Sequence, residues 1–476
     1  MNGTNRPPDG RSLRLLVAIA SFGDKNLDFL KRIIRDYRNM SMEVDVVVVS
    51  NAPKNLGPDV RVVVGLPSKN PWSLPFAHKP IFAENANAYD LFIYSEDDMA
   101  VTEANIRAFL QLTPQLETDE IAGYLRYEVN QAGEWSLPEA HGMHRWKPES
   151  VRKRGPHTIA EFSNDHAAFY LLTRPQLKRA IESGGFLREP YEGRYDMLCT
   201  AATDPYTHCG FRKVICITAL DDFLIHHLPN RYTGQLGLPL ASMREQVQAL
   251  LQISDNGHPA SMLCNVESKL EHGKWSKSFD EQPLSEAIDM IPPEAKTILS
   301  VGCGLGITEI KLKERGVAVT AFPLDSVMGA ITTRCGIEVV YGRLDDCFNK
   351  LGSRLFDCVL MTNLLHLQPD PNKVLAQCSR VVGEGGVLVM SGPNFHSIPV
   401  RAKRVLGKRD LWKLRSYDES GIHGLAPTEI ARRLNRAGLN SVETRWFNRA
   451  KSQKKSLLQW FPLHLAADSW VIRARR

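Results

Sequence analysis

Short apolar runs alternate with segments of helical periodicity along the first half of the chain. The apolar runs 13–20, 44–50, 61–64 and 91–95 have the length of β-strands. The Val-rich run 44–50 is typical of a parallel strand that is buried on both faces. Residues 27–40, between the first two runs, repeat apolar side chains at helical spacing. This alternation predicts an α/β fold whose sheet is mostly parallel.

The same alternation restarts in the second half, after a segment at 229–240 that is rich in glycine, proline and polar residues. Strands are predicted at 296–301, 317–322, 338–341, 356–361 and 387–391. A chain of 476 residues is too long for one ordinary core. We therefore predict a first domain at 12–240, a linker helix within 241–260 and a second domain at 261–476.

Composition is that of a globular protein, with 43% hydrophobic and 24% charged residues. No stretch approaches the ~20 apolar residues that span a bilayer. The first ten residues are polar and lack the apolar core of a signal peptide. The nine cysteines are scattered without a C-x-x-C pair. They favour reduced thiols and a cytoplasmic location over a disulfide framework.

The net charge of +6 is concentrated at the C-terminal end. From residue 401 onward, Lys and Arg outnumber Asp and Glu by about three to one. Such a region is suited to peripheral contact with an anionic membrane, or to a phosphorylated lipid-linked or acidic glycan. A solvated basic surface explains the same pattern. Aromatic residues interleave weakly with the basic ones, which argues against a nucleic-acid partner.

A glycine loop follows the predicted strand 296–301. Gly302, Gly304 and Gly306 alternate with other residues and lead into a predicted helix at 307–315. Glycine at these positions lets the backbone approach a bound nucleoside closely. The spacing alone fits NAD enzymes, methyltransferases or a tight turn. A nicotinamide oxidoreductase is disfavoured, because Ile307 stands where the dinucleotide fingerprint has its third glycine.

Two further blocks follow the glycine loop in order. The first runs from Phe356-Asp357 through Asn363-Leu-Leu-His366 to 369–371, and the second is the Gly-rich segment 381–388. With the loop, they resemble class I S-adenosylmethionine (SAM)-dependent methyltransferases over about residues 290–395. The resemblance implies a Rossmann-like domain that uses SAM as its methyl donor.

The resemblance also assigns cofactor contacts, with two departures. Ser300 and Pro323 stand where the family usually has acidic residues, the second of which grips the ribose. Asp325 is the nearest carboxylate to that second position, and it either binds the ribose or caps the next helix. Asp345 or Asp346 lies where the family contacts adenine, although each could equally be a solvated loop acid.

An oxygen acceptor requires removal of its proton, for which histidine is suited near neutral pH. His366 follows the predicted strand 356–361, where a pocket opens at the carboxyl ends of parallel strands. It is our candidate base. His396 and His423 lie in Pro-Asn…His and Gly-Ile-His patterns that resemble methyltransferases of glycan pathways.

Three acids, Glu96, Asp97 and Asp98, close the predicted strand 91–95. Acids at the end of a buried strand are unfavourable unless a cation compensates them. A divalent metal that bridges a diphosphate is one such cation. The alternative is an acidic turn before a helix, whose dipole favours carboxylates.

The acidic triplet resembles the D-x-D motif of GT-A glycosyltransferases. Residues 169–174, Gly184-Gly-Phe186 and Tyr195-Asp196 loosely resemble the acceptor-side block of family-2-type enzymes. The resemblance covers about residues 12–235. It implies a nucleotide-sugar donor and Mn²⁺ or Mg²⁺ on Glu96, Asp97 and Asp98. The proposed base that activates the glycan acceptor is Asp196, and its rivals are Glu192 and Asp204. The further metal ligand is His226 or its neighbour His227, with His226 preferred.

The two resemblances together predict a bifunctional glycan-assembly enzyme. Its first domain has a GT-A-like fold and transfers a sugar, and its second has the class I methyltransferase fold and methylates a glycan or related acceptor. The main alternative is a methyltransferase whose first domain only binds carbohydrate or nucleotide.

Overall fold

The structure is a computed structural model that describes residues 12–257, 262–406, 409–448 and 462–476. The residues assessed for a signal peptide, the end of the predicted linker and part of the basic C-terminal region lie outside these ranges. The chain forms two compact units. Unit 1 contains Met1–Ala140 and His144–Ser254, and unit 2 contains His141–Met143 and Asp255–Arg476.

Unit 1 is a mixed α/β structure. Its strands are β1 (Arg14–Ser21), β2 (Glu43–Ser50), β3 (Arg61–Val64), β4 (Leu91–Glu96), β5 (Met99–Ala100), β6 (Glu120–Ala122), β7 (Leu125–Val129), β8 (Trp135–Leu137), β9 (Trp146–Arg154), β10 (His157–Phe162), β11 (Phe169–Thr173), β12 (Arg212–Cys216), β13 (Leu224–His227) and β14 (Leu238–Pro239). Its helices are α1 (Leu27–Arg38), α2 (His78–Glu84), α3 (Glu103–Leu112), α4 (Arg174–Glu182), α5 (Met197–Thr207) and α6 (Leu240–Asn256).

The central sheet of unit 1 has the order β11-β4-β1-β2-β3. Strands β1 to β4 are parallel, and β11 runs antiparallel to β4. The connections reverse direction between β1 and β4, because β1 pairs with β2 on one side and with β4 on the other. Crevices for ligands form at such reversal points, outside the carboxyl ends of the strands.

Two smaller sheets complete unit 1, in the orders β6-β12-β10-β9 and β14-β8-β7-β13-β5. The predicted strands 13–20, 44–50, 61–64 and 91–95 of the central sheet are confirmed. Helix α3 begins after Thr102, whose side chain caps it by accepting from the Asn105 N–H. The segment predicted as a linker helix is α6, which the compact division assigns mostly to unit 1. It buries Met243 and Leu250.

Unit 2 contains a single seven-stranded sheet among its described residues. Its strands are β15 (Thr297–Cys303), β16 (Ala318–Pro323), β17 (Glu338–Val339), β18 (Phe356–Thr362), β19 (Val382–Pro393), β20 (Asn440–Phe447) and β21 (Ser469–Arg475). Its helices are α7 (Ser285–Ile288), α8 (Ile307–Glu314), α9 (Ser326–Arg334), α10 (Leu344–Lys350), α11 (Pro371–Val381), α12 (Ile398–Val405), α13 (Tyr417–Ser420), α14 (Pro427–Arg436) and α15 (Leu463–Ala466).

The strand order in unit 2 is β17-β16-β15-β18-β19-β21-β20. Strands β15 to β19 are parallel, whereas β21 lies antiparallel between β19 and β20. The order reverses between β15 and β18, which places a crevice at the carboxyl ends of these two strands. The predicted Rossmann-like architecture of the second domain is therefore confirmed.

No helix in the described parts of the chain is long and apolar enough to cross a bilayer.

Candidate functional site

The glycine loop joins β15 to α8 at the crevice of unit 2. Gly302 and Gly306 have φ of 88° and 77°, a left-handed conformation that favours glycine. A Cβ at Gly304 would lie 2.2 Å from the Phe279 carbonyl oxygen. Glycine is required at 304 because the protein's own main chain fills the adjacent space. Main chain therefore occupies the space at Gly304 where the sequence predicts a bound nucleoside.

Ser300 is buried in β15 and donates a hydrogen bond of 2.5 Å to the buried carboxylate of Glu309 in α8. The family usually has an acidic residue in the strand at the position of Ser300. In this chain, Glu309 of α8 brings a carboxylate to the side chain at that position. Sequence analysis missed Glu309. The available signal was an acidic residue in the first turn after the glycine loop.

Residues 262–281, here termed the covering segment, lie against the loops at the carboxyl edge of the sheet. The Leu263 N–H donates to the Leu324 carbonyl at 3.0 Å, and the Leu344 N–H donates to the Leu263 carbonyl at 2.7 Å. The Leu305 N–H donates to the Phe279 carbonyl at 3.1 Å. One segment therefore links the glycine loop with the two places where the resemblance puts the ribose and adenine contacts of SAM.

A buried ion pair anchors the covering segment to β18. Lys277 is 2% exposed and pairs with Glu281. Its ammonium also donates to the Thr362 carbonyl at 2.8 Å and to the Thr362 hydroxyl at 3.1 Å. Glu281 accepts in turn from the Asn363 side-chain amide. Asn363 has a φ of 50°, which is unusual for a residue other than glycine.

Asp325, the predicted ribose ligand, is buried at the N-terminus of α9. One of its carboxylate oxygens accepts from the Met328 N–H at 2.9 Å. It therefore takes the helix-capping role that the sequence analysis gave as the alternative. The hydrogen bond to Met328 does not test whether Asp325 also binds the ribose, so that role stays a prediction.

Asp345, a predicted adenine contact, already binds two side chains in the structure. Its carboxylate oxygens accept from Lys373 at 2.7 Å and from Gln377 at 2.7 Å. These two hydrogen bonds, with that to Lys373 contributing most, lower the pKa of Asp345. It lines a cavity of about 630 Å³ between the covering segment and α11. Asp346 lies exposed in the first turn of α10.

The three candidate histidines come together beyond the ends of β18 and β19. His366 is buried, and its Nε2 lies 2.8 Å from the Trp275 carbonyl oxygen. The His423 N–H donates to the His366 carbonyl at 2.7 Å, and His396 Nε2 lies 3.1 Å from the Gly424 carbonyl oxygen. A carbonyl only accepts, so His366 carries a proton on Nε2. In the neutral ring, Nδ1 then carries no proton.

Unit 1 has a cavity of about 320 Å³ at its own reversal point. Phe22 lies just beyond the end of β1, and Glu96, Asp97 and Asp98 lie at the end of β4. The exposed ring of Trp72 also lines this cavity. The remaining charged or amide-bearing side chains of the lining are Lys25, Asn26 and Arg231.

Protein groups already compensate much of the acidic charge. The Asn26 amide donates to Asp97 at 2.7 Å and to Asp98 at 3.1 Å. Arg231 NH2 and His227 Nε2 each lie 3.5 Å from the same Asp98 oxygen. The other Asp98 oxygen is buried and has no hydrogen-bond partner among the described residues.

Glu96 has an unusually high pKa for a carboxyl group. Burial of its carboxyl, with a smaller effect from the Asp98 charge, raises the pKa of Glu96 to about 8. Burial also raises the pKa of Asp97, although the hydrogen bond from Asn26 opposes this. At neutral pH, Glu96 is therefore largely a neutral acid that can donate a hydrogen bond.

This donor set does not fit a preformed divalent-metal site. Over the described residues, no group of three or more His, Cys, Asp or Glu side chains is arranged to hold a metal ion. Glu96 is largely protonated, and Asn26, His227 and Arg231 lie where a cation would compete for Asp98. The Mn²⁺ or Mg²⁺ predicted from sequence is not supported by this geometry.

His226 does not join the acids. Its ring stacks on Tyr127 with centroids 4.8 Å apart, and its Nε2 lies 3.0 Å from the Asn230 amide oxygen. Successive side chains point to opposite faces of a strand. His227 therefore lies beside Asp98, and its Nδ1 is 2.6 Å from the buried Glu128 carboxylate. His227 replaces His226 as the histidine of this cluster.

The predicted acceptor base, Asp196, and its two rivals differ in exposure and in hydrogen bonding. Asp196 is exposed and caps α5, accepting from the Cys199 N–H at 3.0 Å. Its charge still contributes to the raised pKa of Glu96. Asp204 is fully buried in an ion pair with Lys79, which excludes it as a base open to an acceptor. Glu192 is exposed.

Comparison with known proteins identifies the C-terminal site. The family model described as "Methyltransferase domain" matches residues 272–444. A ubiquinone biosynthesis O-methyltransferase of Aromatoleum aromaticum is 28% identical over 205 residues, which are 40% of this chain and 85% of that protein. The protein with the same description in Chromobacterium violaceum is 28% identical over 36% of this chain and 80% of its own length.

Solved structures with similarity to the chain include two methyltransferases. A SAM-dependent methyltransferase of Archaeoglobus fulgidus is 16% identical with a TM-score of 0.32, covering 40% of this chain and 91% of its own. The N-methyltransferase NodS of Bradyrhizobium japonicum, in complex with S-adenosyl-L-homocysteine, is 17% identical with a TM-score of 0.29, covering 42% and 90%.

Unit 2 therefore carries a class I SAM-dependent methyltransferase domain. These matches give no support for a glycosyltransferase domain in unit 1. Sugar transfer remains a prediction from sequence.

Gly304→Ala tests the close approach of the loop and the covering segment. Its Cβ meets a backbone carbonyl, so we expect a loss of about 1–3 kcal/mol in the free energy of unfolding. We also expect loss of the melting-temperature increase caused by S-adenosylhomocysteine. Gly383→Ala is the control, because its nearest contact is an ordinary 3.4 Å. Equal behaviour of the two variants would contradict this packing.

Glu96→Gln tests the raised pKa. The pKa of Glu96 rises from 4.5 to about 8 on folding. Its contribution to the free energy of unfolding is therefore largest below about pH 4.5 and is lost as the pH rises toward 8. The unfolding free energy of Glu96→Gln, relative to wild type, should therefore increase between pH 5 and pH 8.5 by at least ~1 kcal/mol. Urea unfolding at both pH values measures this. The raised pKa would be refuted if the unfolding free energy of Glu96→Gln, relative to wild type, changed between the two pH values no more than that of the exposed Glu134→Gln.

Proposed function

We propose that unit 2 methylates an oxygen atom of a polyhydroxylated, glycan-type acceptor. The observation that carries this proposal is the crevice between β15 and β18, which brings the glycine loop and the histidine cluster to the same edge of one sheet. The O-methyltransferase descriptions of the two sequence relatives support oxygen as the acceptor atom.

The residues at this edge fit a bound SAM by their chemistry. The residues that line the cavity between the covering segment and α11, among them Asp345, would hold it, in the crevice that the strand order of the sheet forms. SAM supplies an electrophilic methyl group, whose transfer needs in-line positioning more than acid–base assistance. The protein's task is therefore to orient the acceptor and to exclude water.

His366 is the group suited to receive the acceptor's proton. Its Nε2 bond to Trp275 fixes the ring and directs base chemistry to Nδ1. The bond from His423 to the His366 carbonyl holds the turn that carries this ring. Because Trp275 belongs to the covering segment, the position of that segment and the orientation of the base depend on each other.

The cavity of unit 1 supports a glycan-type acceptor. The exposed rings of Phe22 and Trp72 offer apolar faces to a sugar ring. Asp98 offers a buried acceptor oxygen to a hydroxyl group, and Glu96 offers a donor. In this proposal unit 1 binds carbohydrate or nucleotide, and unit 2 performs the chemistry.

His366→Gln tests the proton acceptor. We expect kcat for methylation of a hydroxyl acceptor to fall by about 10²- to 10⁴-fold, because a general base is lost. S-adenosylhomocysteine affinity, measured by calorimetry, should stay within about twofold. The matched control is the exposed His272→Gln.

Radiolabelled methyl transfer to neutral glycans, acidic glycans and amines measures the acceptor class. Methylation of hydroxyl groups with the expected His366 dependence supports the proposal. Methylation confined to amines, or full activity in His366→Gln, would contradict it.

A second candidate function for unit 1 is sugar transfer from a nucleotide sugar. One observation favours it: the acids lie at the reversal point between β1 and β4, where nucleotides bind in open α/β sheets. Asp98, with its unpartnered buried oxygen, is the acid best placed to meet a ligand.

Asp98→Asn distinguishes the two roles of unit 1 through the sign of its effect. If a metal bridges the diphosphate, Mn²⁺-dependent binding of a nucleoside diphosphate should weaken by at least about tenfold, and chelation should do the same. If no metal binds, removing a negative charge beside an anionic ligand should strengthen binding. Calorimetry with and without chelator measures this, with the exposed Asp59→Asn as control. Binding that chelation leaves unchanged would refute metal-dependent sugar transfer.

A further inference from the structure

Three large apolar side chains stand exposed on neighbouring elements of unit 2. Leu406, just beyond α12, is 82% exposed, Trp412 is 44% exposed, and Leu463 at the start of α15 is 55% exposed. The Leu406 side chain is too exposed to be stabilised by burial in the core of the domain. We refer to these three residues and the basic side chains of α12 as the apolar–basic patch.

The elements of the patch pack against one another. Helix α12 contacts both the 3₁₀ helix Arg409–Arg415, which carries Trp412, and α15. The Arg404 guanidinium lies 5.5 Å from the centre of the Trp412 ring, within the range of a cation–π interaction. The elements that carry the three apolar residues are therefore neighbours.

The patch is strongly basic. Helix α12 carries Arg401, Lys403 and Arg404 and contains no acidic residue. Arg401 and Lys403 are exposed on α12 itself. Apolar side chains bordered by basic ones are the arrangement that binds an anionic lipid interface, where the apolar groups enter the headgroup boundary and the cations meet phosphate.

The patch is tied to the methyl-transfer edge of the sheet. Asn394 directly follows β19, and its side-chain amide donates to the His464 and Ala467 carbonyls, each at 2.9 Å. His396, two residues further, bonds the Gly424 carbonyl next to His423. The strand that ends beside the histidine cluster thus continues directly into the patch.

We propose that the apolar–basic patch docks unit 2 onto an anionic lipid surface, so that the acceptor is presented to the histidine cluster on a lipid carrier. The proposal rests on the proposed methylation of a glycan-type acceptor and adds its lipid linkage. Charge complementarity alone would also fit an acidic polysaccharide or RNA. Leu406 and Leu463 favour lipid, because apolar side chains gain free energy by leaving water for an interface.

Vesicle flotation with the full chain tests the docking. One set of vesicles is phosphatidylcholine alone, and the other contains about 30% phosphatidylglycerol. We expect binding to the anionic vesicles only, weakening as salt is raised. Arg401→Gln with Lys403→Gln should reduce the partition coefficient by about 25-fold, at about fivefold per basic residue. Leu406→Ser with Leu463→Ser should reduce it by at least about tenfold.

Matched controls come from unit 1. Leu187 is 50% exposed, and Lys31 and Lys178 are exposed on helices. Leu187→Ser, and Lys31→Gln with Lys178→Gln, should leave binding to the anionic vesicles unchanged. Equal binding to both vesicle types, or retained binding in both patch variants, would overturn the proposal. Salt-sensitive binding to an acidic polysaccharide or RNA that displaces the vesicles and is unaffected by Leu406→Ser would overturn it too.

S-adenosylhomocysteine binding separates this proposal from the proposed function. Calorimetry should give the same affinity in wild type and in all patch and control variants. If vesicle binding fails while this affinity and methylation of a soluble glycan are normal, docking alone is refuted. If wild type binds vesicles but methylates no hydroxyl acceptor, the proposed function and the lipid-linked acceptor fail while membrane docking stands.

Discussion

The ion pair between the buried Lys277 and the partly buried Glu281 is the interaction on which the site of unit 2 depends. It fixes the covering segment to the end of β18 through Thr362 and Asn363. Removing one partner of a buried pair typically costs about 3–5 kcal/mol, because the remaining charge is left uncompensated. Phe279, which approaches Gly304, and Trp275, whose carbonyl lies beside His366, both stand within two residues of Lys277 in the same segment.

Both units place their candidate sites by the same constraint of sheet topology. In each central sheet the strand order reverses beside the first strand of the fold, between β1 and β4 or between β15 and β18. Polar residues that would be unfavourable within a buried strand are tolerated just beyond its carboxyl end. The two units differ in their groups: unit 2 offers a glycine loop and histidines, whereas unit 1 offers acids that protein cations and amides largely compensate.

Sequence patterns predicted the buried parallel strands well, because apolar runs such as those of β1 and β4 report burial directly. They did not predict β9, whose charged residues conceal its periodicity. Arg152 and Arg154 in β9 pair with the buried Glu120, an interaction formed only in the fold. The covering segment was not predicted for a related reason. Many of its contacts are main-chain hydrogen bonds, which produce no periodic pattern of apolar side chains in the sequence.

Site residues were predicted less well than strands. The sequence identified the loop and the acidic triplet, but it could not decide which of two adjacent histidines faces Asp98, because one residue of register reverses the face. It also could not show that Asp325 is used as a helix cap or that Asp345 is bound by Lys373. Such assignments depend on contacts between residues far apart in the chain.

Hydrogen–deuterium exchange with and without S-adenosylhomocysteine tests the central claim, that the crevice between β15 and β18 holds the methyl donor beneath the covering segment. The account predicts altered exchange at the amides of Leu263, Leu305 and Leu344, which form the bonds between the segment and the loops. Unit 1 should be unchanged. Binding of the ligand with exchange unaltered at these three amides, and altered elsewhere, would contradict the account.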